Sequence, residues 1–591
     1  MTTQNYKTEW DLSVFYSSPS DPKIKAELKK YKSVIEKFEK KYSKANFLKN
    51  DSALEKALKN YEELFSIAAS PKPLIYAYLL TNTNSGKAEY QALLASLANE
   101  FTNLINKIIF FELRISKLPK QLQSKFLKSK KLSKYKYFLE NIFKRGAYTL
   151  SEAEEKIINL MTLPAKEMWT MGQEKAFTSL EIEHKGEHLP IGKALNMINA
   201  APTEERRMLH DAIVAKIKSM AFFAESEINA VYTVKKITDE LKGYKRPYSS
   251  TLLDYQNDEK TVIGMINTVA ENYKISHKFS DIKSKLLGLE KLMYSDRAVN
   301  ITGKKYDFSF EKTIEIIEES FKDLGSYYNE TLQRMLRDGQ IDVYPAKGKT
   351  TGGFCWPNLG LPTYILLNHN NELRSVLTLA HEMGHAYHSE LSKGQPPIYE
   401  GHTISVAEVA STFFENFVFD KLLETADDEQ KIILLHNRLN DEIATVFRQT
   451  AFFNFELELH NLIREKGAAS NEEICAIVNK HMSAYLGPRF ELKPDDGYLY
   501  VVVSQLRRYF YVYSYTYGSL ISSTLHARCV KDKTYMKKVE TFLKAGGSMS
   551  PYQMFKAIGI DTSDPKFFKE GLKAIEKKVD YLAELVEKRN K

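Results

Sequence analysis

Apolar residues recur at helical spacing over much of the chain. Asp21 suits the N-cap position of a first helix, and Pro22 suits its first turn. The apolar residues that follow share one face: Ile24, Leu28, Tyr31 and Ile35. The same periodicity marks residues 88–118, 151–170 and 204–241. The pattern predicts a mainly α-helical fold.

Two stretches depart from the helical pattern. Apolar residues alternate on both sides of Lys185-Gly186 between residues 180 and 191, which predicts a β-hairpin and a domain boundary near residue 195. From Ile341 to Leu367, short β-prone runs are separated by Gly, Pro and Asn, which predicts a small sheet. The chain then returns to helix, with breaks at Gly546-Gly547 and around 559–565. We therefore predict an N-terminal helical domain over 1–195 and a second domain over 196–591.

Composition narrows the class of protein. Of 591 residues, 43% are hydrophobic and 27% are charged, which is typical of a folded globular chain. The net charge is +9, but lysines and acidic residues alternate along helices, as on a solvated surface rather than a nucleic-acid interface. No apolar run approaches the length of a membrane helix. The absence of a secretory signal pattern and the presence of only three scattered cysteines predict a cytoplasmic protein.

Histidines are concentrated in one short part of the chain. Five of the 13 lie between residues 369 and 402, where even spacing would place fewer than one. They include the motif His381-Glu382-Met383-Gly384-His385, whose two histidines share a helix face and can bind one Zn²⁺. The motif predicts a zinc site. The alternative is a helix whose histidines are partly buried and hydrogen-bonded.

The helix around the motif has a clear apolar face. With Asn371 as the predicted N-cap, one stripe contains Leu373, Val376, Leu377, Ala380, Gly384, Tyr387 and Leu391. At about 100° per residue, His381, His385 and His388 lie 80 to 100° round from that stripe. This position at the edge of the core suits the wall of a cleft.

A catalytic zinc normally has three protein ligands and an open position. The metzincin pattern, with Gly at 388 and His at 391, is not met, because the chain has His388 and Leu391. Glu408, in the next helical segment, is the candidate third ligand. Its alternative role is local, since Ser405-x-x-Glu408 also has the spacing of a capping box.

These residues resemble the thimet oligopeptidase and oligoendopeptidase F metallopeptidases, and the second branch in particular. The segment 378–388 is similar to the extended zinc helix of that family, and 407–411 to its third-ligand segment. Residues 352–356 resemble its substrate-binding β segment. Weaker similarity covers 10–12, 542–547 and 559–561.

The resemblance implies a prolate helical metallopeptidase with a deep substrate channel and a small β-sheet beside the HExxH helix. It implies one zinc per chain, held by His381, His385 and Glu408, and hydrolysis of internal bonds in short unfolded oligopeptides. Glu382 would be the general base that takes a proton from the water activated by zinc and delivers it to the leaving amine. Glu415, two helical turns after Glu408, is a candidate to orient a ligand imidazole.

Tyrosines alternate strictly from Tyr509 to Tyr517, which by periodicity alone predicts a strand. The resemblance instead implies a tyrosine-rich helix, on which Tyr511 and Tyr515 share a face and donate to the oxyanion. Just upstream, where relatives commonly show His and then Tyr, this chain has Gln505 and Arg507. Both side chains can donate hydrogen bonds, so both are candidates for that role.

The sequence therefore predicts a cytoplasmic zinc endopeptidase that acts on oligopeptides, with neither nucleic acid nor membrane as a partner. A metallocarboxypeptidase or dipeptidase of related helical fold is one alternative. A peptide-binding protein that has lost turnover is another, suggested by Gln505 and Arg507. A basic helical nucleic-acid binder is the third.

Overall fold

The computed structural model describes residues 6–69, 71–303 and 308–590. It is 72% helical, so the predicted mainly α fold is confirmed. The chain forms two compact units, each assembled from three separate stretches. Unit 1 contains Met1–Ala147, Lys305–Leu422 and Arg528–Gly559, and unit 2 contains Tyr148–Lys304, Leu423–Ala527 and Ile560–Lys591. The predicted division of the chain at residue 195 stays a prediction.

The α-helices follow in chain order. Those of the first half are α1 Pro22–Tyr42, α2 Asp51–Ala69, α3 Lys72–Thr83, α4 Ala88–Asn106, α5 Ile109–Ser116, α6 Lys120–Leu127, α7 Lys136–Gly146, α8 Glu152–Thr162, α9 Met168–Thr178, α10 Ile191–Ile198, α11 Thr203–Ser219, α12 Ala221–Lys242, α13 Ser249–Asp254, α14 Glu259–Ala270 and α15 Lys274–Leu287. Those of the second half are α16 Phe310–Phe321, α17 Ser326–Arg337, α18 Leu373–Ser392, α19 Pro397–Glu400, α20 Ile404–Thr425, α21 Asp428–Ile443, α22 Gln449–Lys466, α23 Asn471–Leu486, α24 Tyr513–Lys531, α25 Met536–Lys544, α26 Pro551–Ala557 and α27 Pro565–Arg589.

The strands are few and short. They are β1 Glu181–His184, β2 Glu187–Pro190, β3 Leu292–Met293, β4 Ile341–Asp342, β5 Phe354–Trp356, β6 Tyr364–Leu366 and β7 Phe490–Glu491. The antiparallel pair β1 and β2 confirms the predicted hairpin. Strands β4, β6 and β5 form the predicted small sheet in that order, with β5 at one edge. The parallel pairing of β3 with β7 has no counterpart in the prediction.

Several predicted helices are divided in the structure. The segment 88–118 forms α4 and α5, and 204–241 forms α11 and α12, which meet at Met220. The segment 151–170 is α8 followed by a π-helical turn, Leu163–Glu167, that leads into α9. Residues 487–512, expected to be helical, contain β7 and the 3₁₀ segments Pro494–Val502 and Ser504–Arg508. The predicted breaks near 546 and 560 are confirmed.

Unit 1 begins with the predicted capped helix. The side chain of Asp21 accepts a hydrogen bond from the Lys23 backbone N–H at 2.9 Å, and Pro22 opens α1. Ile24 and Ile35 are buried on the predicted face. Helices α1, α2, α5 and α7 contribute to one aromatic-rich core cluster, in which Phe111 is fully buried.

The small sheet of unit 1 is anchored by the start of the chain. The indole N–H of Trp10 donates to the Ile365 carbonyl at 2.8 Å and lies 3.2 Å from the Gln340 carbonyl. The Tyr364 hydroxyl donates back to the Asp11 carbonyl at 2.9 Å. Helix α18 packs on β5 and β6 of the same sheet. The N-terminal segment thereby fixes the sheet against which the histidine helix rests.

Unit 2 is a helical assembly around α27 and α22. Helices α14, α15 and α21 pack against α27, while α12 and α23 pack against α22. Leu572, Ile575, Val579 and Leu582 form a buried stripe on α27. Among the described helices, none combines the length and the hydrophobicity that a bilayer span requires.

Candidate metal centre

Helix α18 carries the HExxH motif in unit 1. It begins at Leu373 with Glu372 as its N-cap residue, so the prediction of Asn371 as N-cap is wrong. Asn371 instead adopts the left-handed conformation, with φ 58°. The predicted core stripe is confirmed where it is deepest, at Val376, Ala380, Gly384 and Tyr387.

The two motif histidines and Glu408 of α20 converge. One ligand atom from each of His381, His385 and Glu408 can be chosen so that all three lie within 4.8 Å of one another. His381 Nε2 lies 3.4 Å from Glu408 Oε2. Two imidazole nitrogens and a carboxylate oxygen are a donor set typical of catalytic zinc sites, so these residues fit the predicted ion.

The backbones of α18 and α20 come close together at Gly384. A Cβ atom at this position would lie 2.6 Å from Ser411 Cα and 2.8 Å from the Ala410 carbonyl oxygen. Glu408 is one turn before Ser411 and so reaches the histidine face. Ser405 is the second residue of α20, inside the helix, so the alternative role of Glu408 in a capping box is wrong.

Glu415 supports His381 from the side opposite Glu408. Its Oε2 atom lies 3.2 Å from His381 Nδ1, as expected for a carboxylate that orients a ligand imidazole. The predicted position of Glu415 is thereby confirmed. A proton held on Nδ1 by this carboxylate leaves Nε2 free to bind a cation.

Glu382 lies between the three candidate ligands and the sheet, close enough to His381 and Glu408 for their charges to affect its pKa. Its side chain is buried, and its carboxylate accepts a hydrogen bond from the Cys355 backbone N–H of β5. Burial raises the pKa of Glu382 to about 7. A Cβ atom at Gly353 would lie 2.7 Å from Thr378 Cγ2 and 3.5 Å from Glu382 Oε1. A residue without a side chain at 353 lets the chain that leads into β5 pass this close to Thr378 of α18.

The pKa values of the three candidate ligands are shifted in different directions. Burial acts to raise the pKa of Glu408, but its hydrogen bond with His381 and the nearby His385 bring it down to about 2. Burial and the neighbouring His381 lower the pKa of His385 to about 3. Although burial opposes it, the two carboxylates Glu408 and Glu415 raise the pKa of His381. These shifts favour the neutral, metal-binding form of His385, whereas His381 favours the protonated form until a cation displaces the proton from Nε2.

The other clustered histidines are not part of this group. His388 is fully buried, not at the edge of the core as predicted, and its ring stacks on that of His402 at 3.7 Å and 7°. His369 Nε2 lies 2.9 Å from the Phe308 carbonyl oxygen. Only two of the five histidines predicted as a cluster therefore contribute to the candidate site.

The tyrosine segment belongs to unit 2 and is neither a strand nor a continuous helix. Tyr509 and Phe510 adopt positive φ values of 48° and 60°, and α24 begins only at Tyr513. Tyr511 therefore precedes the helix on which it was predicted. Its ring still lies 5.3 Å from that of Tyr515. Both rings are half-buried, whereas Tyr513 and Tyr517, also in this segment, are fully buried.

The strained turn is held by residues from distant parts of unit 2. Glu456 accepts a hydrogen bond from the Phe510 N–H at 2.9 Å, and the Thr251 hydroxyl donates to the Tyr509 carbonyl at 2.8 Å. The Tyr509 hydroxyl donates to the Val231 carbonyl at 3.0 Å. A left-handed residue other than glycine costs about 1–3 kcal/mol, so two in succession require such support.

Arg507 is a structural residue. It is 4% exposed and donates to both carboxylate oxygens of Glu227, at 3.0 and 2.7 Å. Its remaining bonds go to the carbonyls of Tyr500 and Val503. Because these donors are engaged inside unit 2, the hypothesis that Arg507 takes over the oxyanion role is wrong. Gln505 is half-buried.

Some residues of the site carry no sequence signal. The Cys355 N–H that bonds Glu382 is a backbone group, and any residue type except proline supplies it. Glu456 lies 54 residues before Phe510, and nothing in the local pattern connects the two. Gly384 stands at a variable position of the HExxH motif, so its role appears only in the packing of α18 against α20.

A mainly helical fold that holds an HExxH pair and a glutamate around one point is that of a metallopeptidase. The model of peptidase family M3 matches residues 197–574, and a second model, oligopeptidase F, matches residues 114–181. The chain belongs to peptidase family M3, and it is a metallo-oligopeptidase with peptides as substrates. The predicted resemblance is confirmed.

The similarity to known proteins extends over nearly the whole chain. An oligoendopeptidase F homolog of Lactococcus lactis is 25% identical over 98% of both chains. Oligopeptidase PepF of Bacillus subtilis is 26% identical, over 87% of this chain and 78% of its own. A Chlamydophila abortus protein of known structure has a TM-score of 0.88 at 22% identity, with 98% of each chain covered. Oligoendopeptidase-F from Enterococcus faecium has a TM-score of 0.68 at 20% identity, covering 96% of this chain and 98% of its own.

Replacing Gly384 should separate α18 from α20. In Gly384→Ala the added methyl group meets the Ser411 backbone, so we expect the free energy of unfolding to fall by about 1–3 kcal/mol and affinity for added Zn²⁺ to weaken. Denaturant unfolding and chelator competition measure the two effects. Gly394→Ala is the control, because nothing lies within 4 Å of its new methyl group. Equal behaviour of the two variants would contradict the proposed close packing.

Replacing Glu415 should weaken metal binding through His381. In Glu415→Gln the charge that holds the Nδ1 proton is lost, and we expect roughly 10–100-fold lower affinity for Zn²⁺ with the fold retained. Competition with a chromophoric chelator measures the affinity. Glu372→Gln, at the exposed start of α18, removes the same charge away from the ligands. An unchanged affinity in Glu415→Gln would show that the 3.2 Å contact has no role in binding.

Proposed function

We propose that this metallo-oligopeptidase is a zinc-dependent endopeptidase that hydrolyses internal bonds of short, unfolded oligopeptides. The observation that carries the proposal is the convergence of His381, His385 and Glu408 on one point. Glu382 lies on the same helix as the two histidines and within their electrostatic influence. The names of the relatives, oligoendopeptidase F and oligopeptidase, support the substrate class and the cleavage of internal bonds.

His381 and His385 would bind the ion through imidazole nitrogens, and Glu408 through a carboxylate oxygen. When bound, zinc supplies Lewis-acid polarisation of the scissile carbonyl and lowers the pKa of water towards neutrality. Glu415 keeps the proton of His381 on Nδ1, so that the lone pair of Nε2 is the one available to bind the metal ion. The protein would therefore fix the positions of the ligand atoms, and the ion would provide the positive charge that polarises the carbonyl.

Glu382 is the proposed general base and acid. Its buried carboxyl, with a pKa near 7, can accept a proton from water and donate it to the leaving nitrogen within one turnover. The bond from Cys355 N–H fixes the direction of the carboxylate. Because Glu382 lies on α18 next to His381, it stays beside the reacting groups without serving as a ligand.

Strand β5 is the proposed guide for the peptide backbone. It is an edge strand of its sheet, and edge strands offer backbone groups to an extended peptide; here the Cys355 N–H is already bonded to Glu382, which leaves the other outward groups. Its residues Phe354–Trp356 are only half-buried. A peptide paired there would present its backbone beside Glu382, whatever its side chains, which suits an enzyme for varied oligopeptides.

Tyr511 and Tyr515 are the proposed donors to the oxyanion. Their rings are adjacent and half-buried, whereas Tyr513 is fully buried and its hydroxyl oxygen accepts a hydrogen bond from Asn257 at 3.0 Å. Donors aimed at a developing negative charge contribute most when they are held rigidly. The supported turn before Tyr511 supplies that rigidity.

We also propose a cytoplasmic location. Support comes from the three cysteines, which are all free thiols, with Cys475 and Cys529 buried. Thiols persist in reducing compartments, whereas exported proteins commonly oxidise them.

Replacing Glu382 tests the reaction. We expect Glu382→Gln to lower kcat roughly 10²–10⁴-fold while zinc content is unchanged, because the base is lost and the ligands remain. Mass spectrometry of a defined peptide mixture, with one folded protein included, identifies the products and compares wild type, chelator-treated enzyme and the variant. Internal fragments from the peptides alone support the proposal. Products shortened only at one end would instead indicate a carboxypeptidase or dipeptidase, and no cleavage by zinc-loaded wild type would indicate a peptide-binding protein.

Replacing the tyrosines tests the oxyanion donors. We expect Tyr511→Phe and Tyr515→Phe each to lower kcat roughly 10²–10³-fold, with a small change in KM, because the lost bond forms mainly in the transition state. Tyr513→Phe is the matched control in the same segment. Steady-state kinetics on one internally cleaved peptide measures all three. If the control lost as much as the other two, the effect would be one of packing.

A further inference from the structure

A small buried cavity lies in unit 2 among α15, α21 and α23. Its volume is about 20 Å³, just above what one water molecule requires. Its polar lining comes from Ser276, Ser280, Lys283, Arg297, Asn440 and Tyr485. None of the described residues that line it is acidic. The cavity is therefore a polar site for one small species.

The lining contains two cationic side chains and three hydroxyl groups, all of which can donate hydrogen bonds. Lys283, 1% exposed, donates to the Arg297 carbonyl at 2.7 Å and to Asn440 Oδ1 at 2.8 Å, which are both neutral acceptors. Ser276 is fully buried, and its hydroxyl has no hydrogen-bond partner in the described part of the chain. The same holds for Arg297 Nε. Buried donors normally have partners, so these two indicate an acceptor within the cavity.

Positive charge accumulates around the cavity. Burial, together with the adjacent charge of Arg297, lowers the pKa of Lys283 well below its usual value. Burial and the same neighbour also lower the pKa of Arg448. Two acidic residues lie near enough to affect Lys283. Asp296 is fully buried and already shared by Arg206 at 2.6 Å and Arg207 at 3.6 Å, and Asp441 is exposed to solvent.

A buried cation without an opposite charge is unfavourable, so either Lys283 is neutral or an anion lies beside it. Water would satisfy the donors but leave the charge uncompensated. A monovalent anion would do both, because it accepts several hydrogen bonds and carries no proton of its own. Chloride is only slightly larger than water, which agrees with the volume.

We propose that this cavity binds one chloride ion through Lys283, Ser276 and Arg297, and that the ion stabilises unit 2. The site is independent of the metal ligands, all of which belong to unit 1. The occupant joins α15 to the chain segment after β3. Its binding couples the stability of the enzyme to the anion in solution.

The test compares anions at constant ionic strength. Replacing sodium gluconate with sodium chloride should raise the Tm of the wild type by roughly 2–4 °C, in a saturable manner, because the ion binds the folded state alone. Lys283→Met should abolish this dependence. Lys278→Met, on the same helix but with its lysine half-exposed and paired with Asp580, should retain it.

A crystal soaked in bromide gives a second readout that needs no variant. An anomalous peak in the cavity beside Lys283 Nζ is expected. The proposal is overturned if the Tm is the same in gluconate and chloride, if Lys283→Met keeps the full chloride dependence, or if the cavity shows no bromide. If Lys283→Met does not fold, the bromide peak alone decides.

Discussion

The close packing of α18 on α20 at Gly384 is the constraint on which the metal centre depends. Both helices bring candidate ligands, and neither could form the site alone. A side chain at 384 would collide with the Ser411 backbone, so the two helices, and the candidate ligands on them, would have to move apart. The glycine therefore sets the distance between the two helices, and the helical repeat places Glu408 and Glu415 on either side of His381.

Much of this centre could be predicted from the sequence because its parts are local. Two histidines four residues apart share a face in any α-helix, and the apolar stripe of α18 fixes which face is buried. Glu408 followed from the need for a third ligand. The packing at Gly384 could not be predicted, because local periodicity does not reveal where two helices touch.

The conformation of the tyrosine segment, in contrast, could not be predicted from its local sequence. Its alternation has the period of a strand, yet a turn with two left-handed residues leads into α24. Long-range contacts decide the conformation: Glu456, Thr251 and Val231 hold a backbone that the local residues disfavour. Arg507 belongs to the same class, since the buried partner Glu227 lies 280 residues away in sequence. Local sequence patterns do not predict a backbone conformation that is stabilised by contacts with residues distant in sequence.

Each unit consists of three stretches that alternate along the sequence with those of the other unit, and this has a consequence for biosynthesis. Residues 528–559 belong to unit 1 and residues 560–591 to unit 2, so the chain after residue 527 contributes to both. In many multidomain proteins the N-terminal domain leaves the ribosome first and folds while the rest of the chain is synthesised. The faces of α14, α15 and α21 that pack on α27 stay uncovered until Pro565–Arg589 has been synthesised. Nascent chains therefore keep these apolar faces exposed long after α15 itself has left the ribosome.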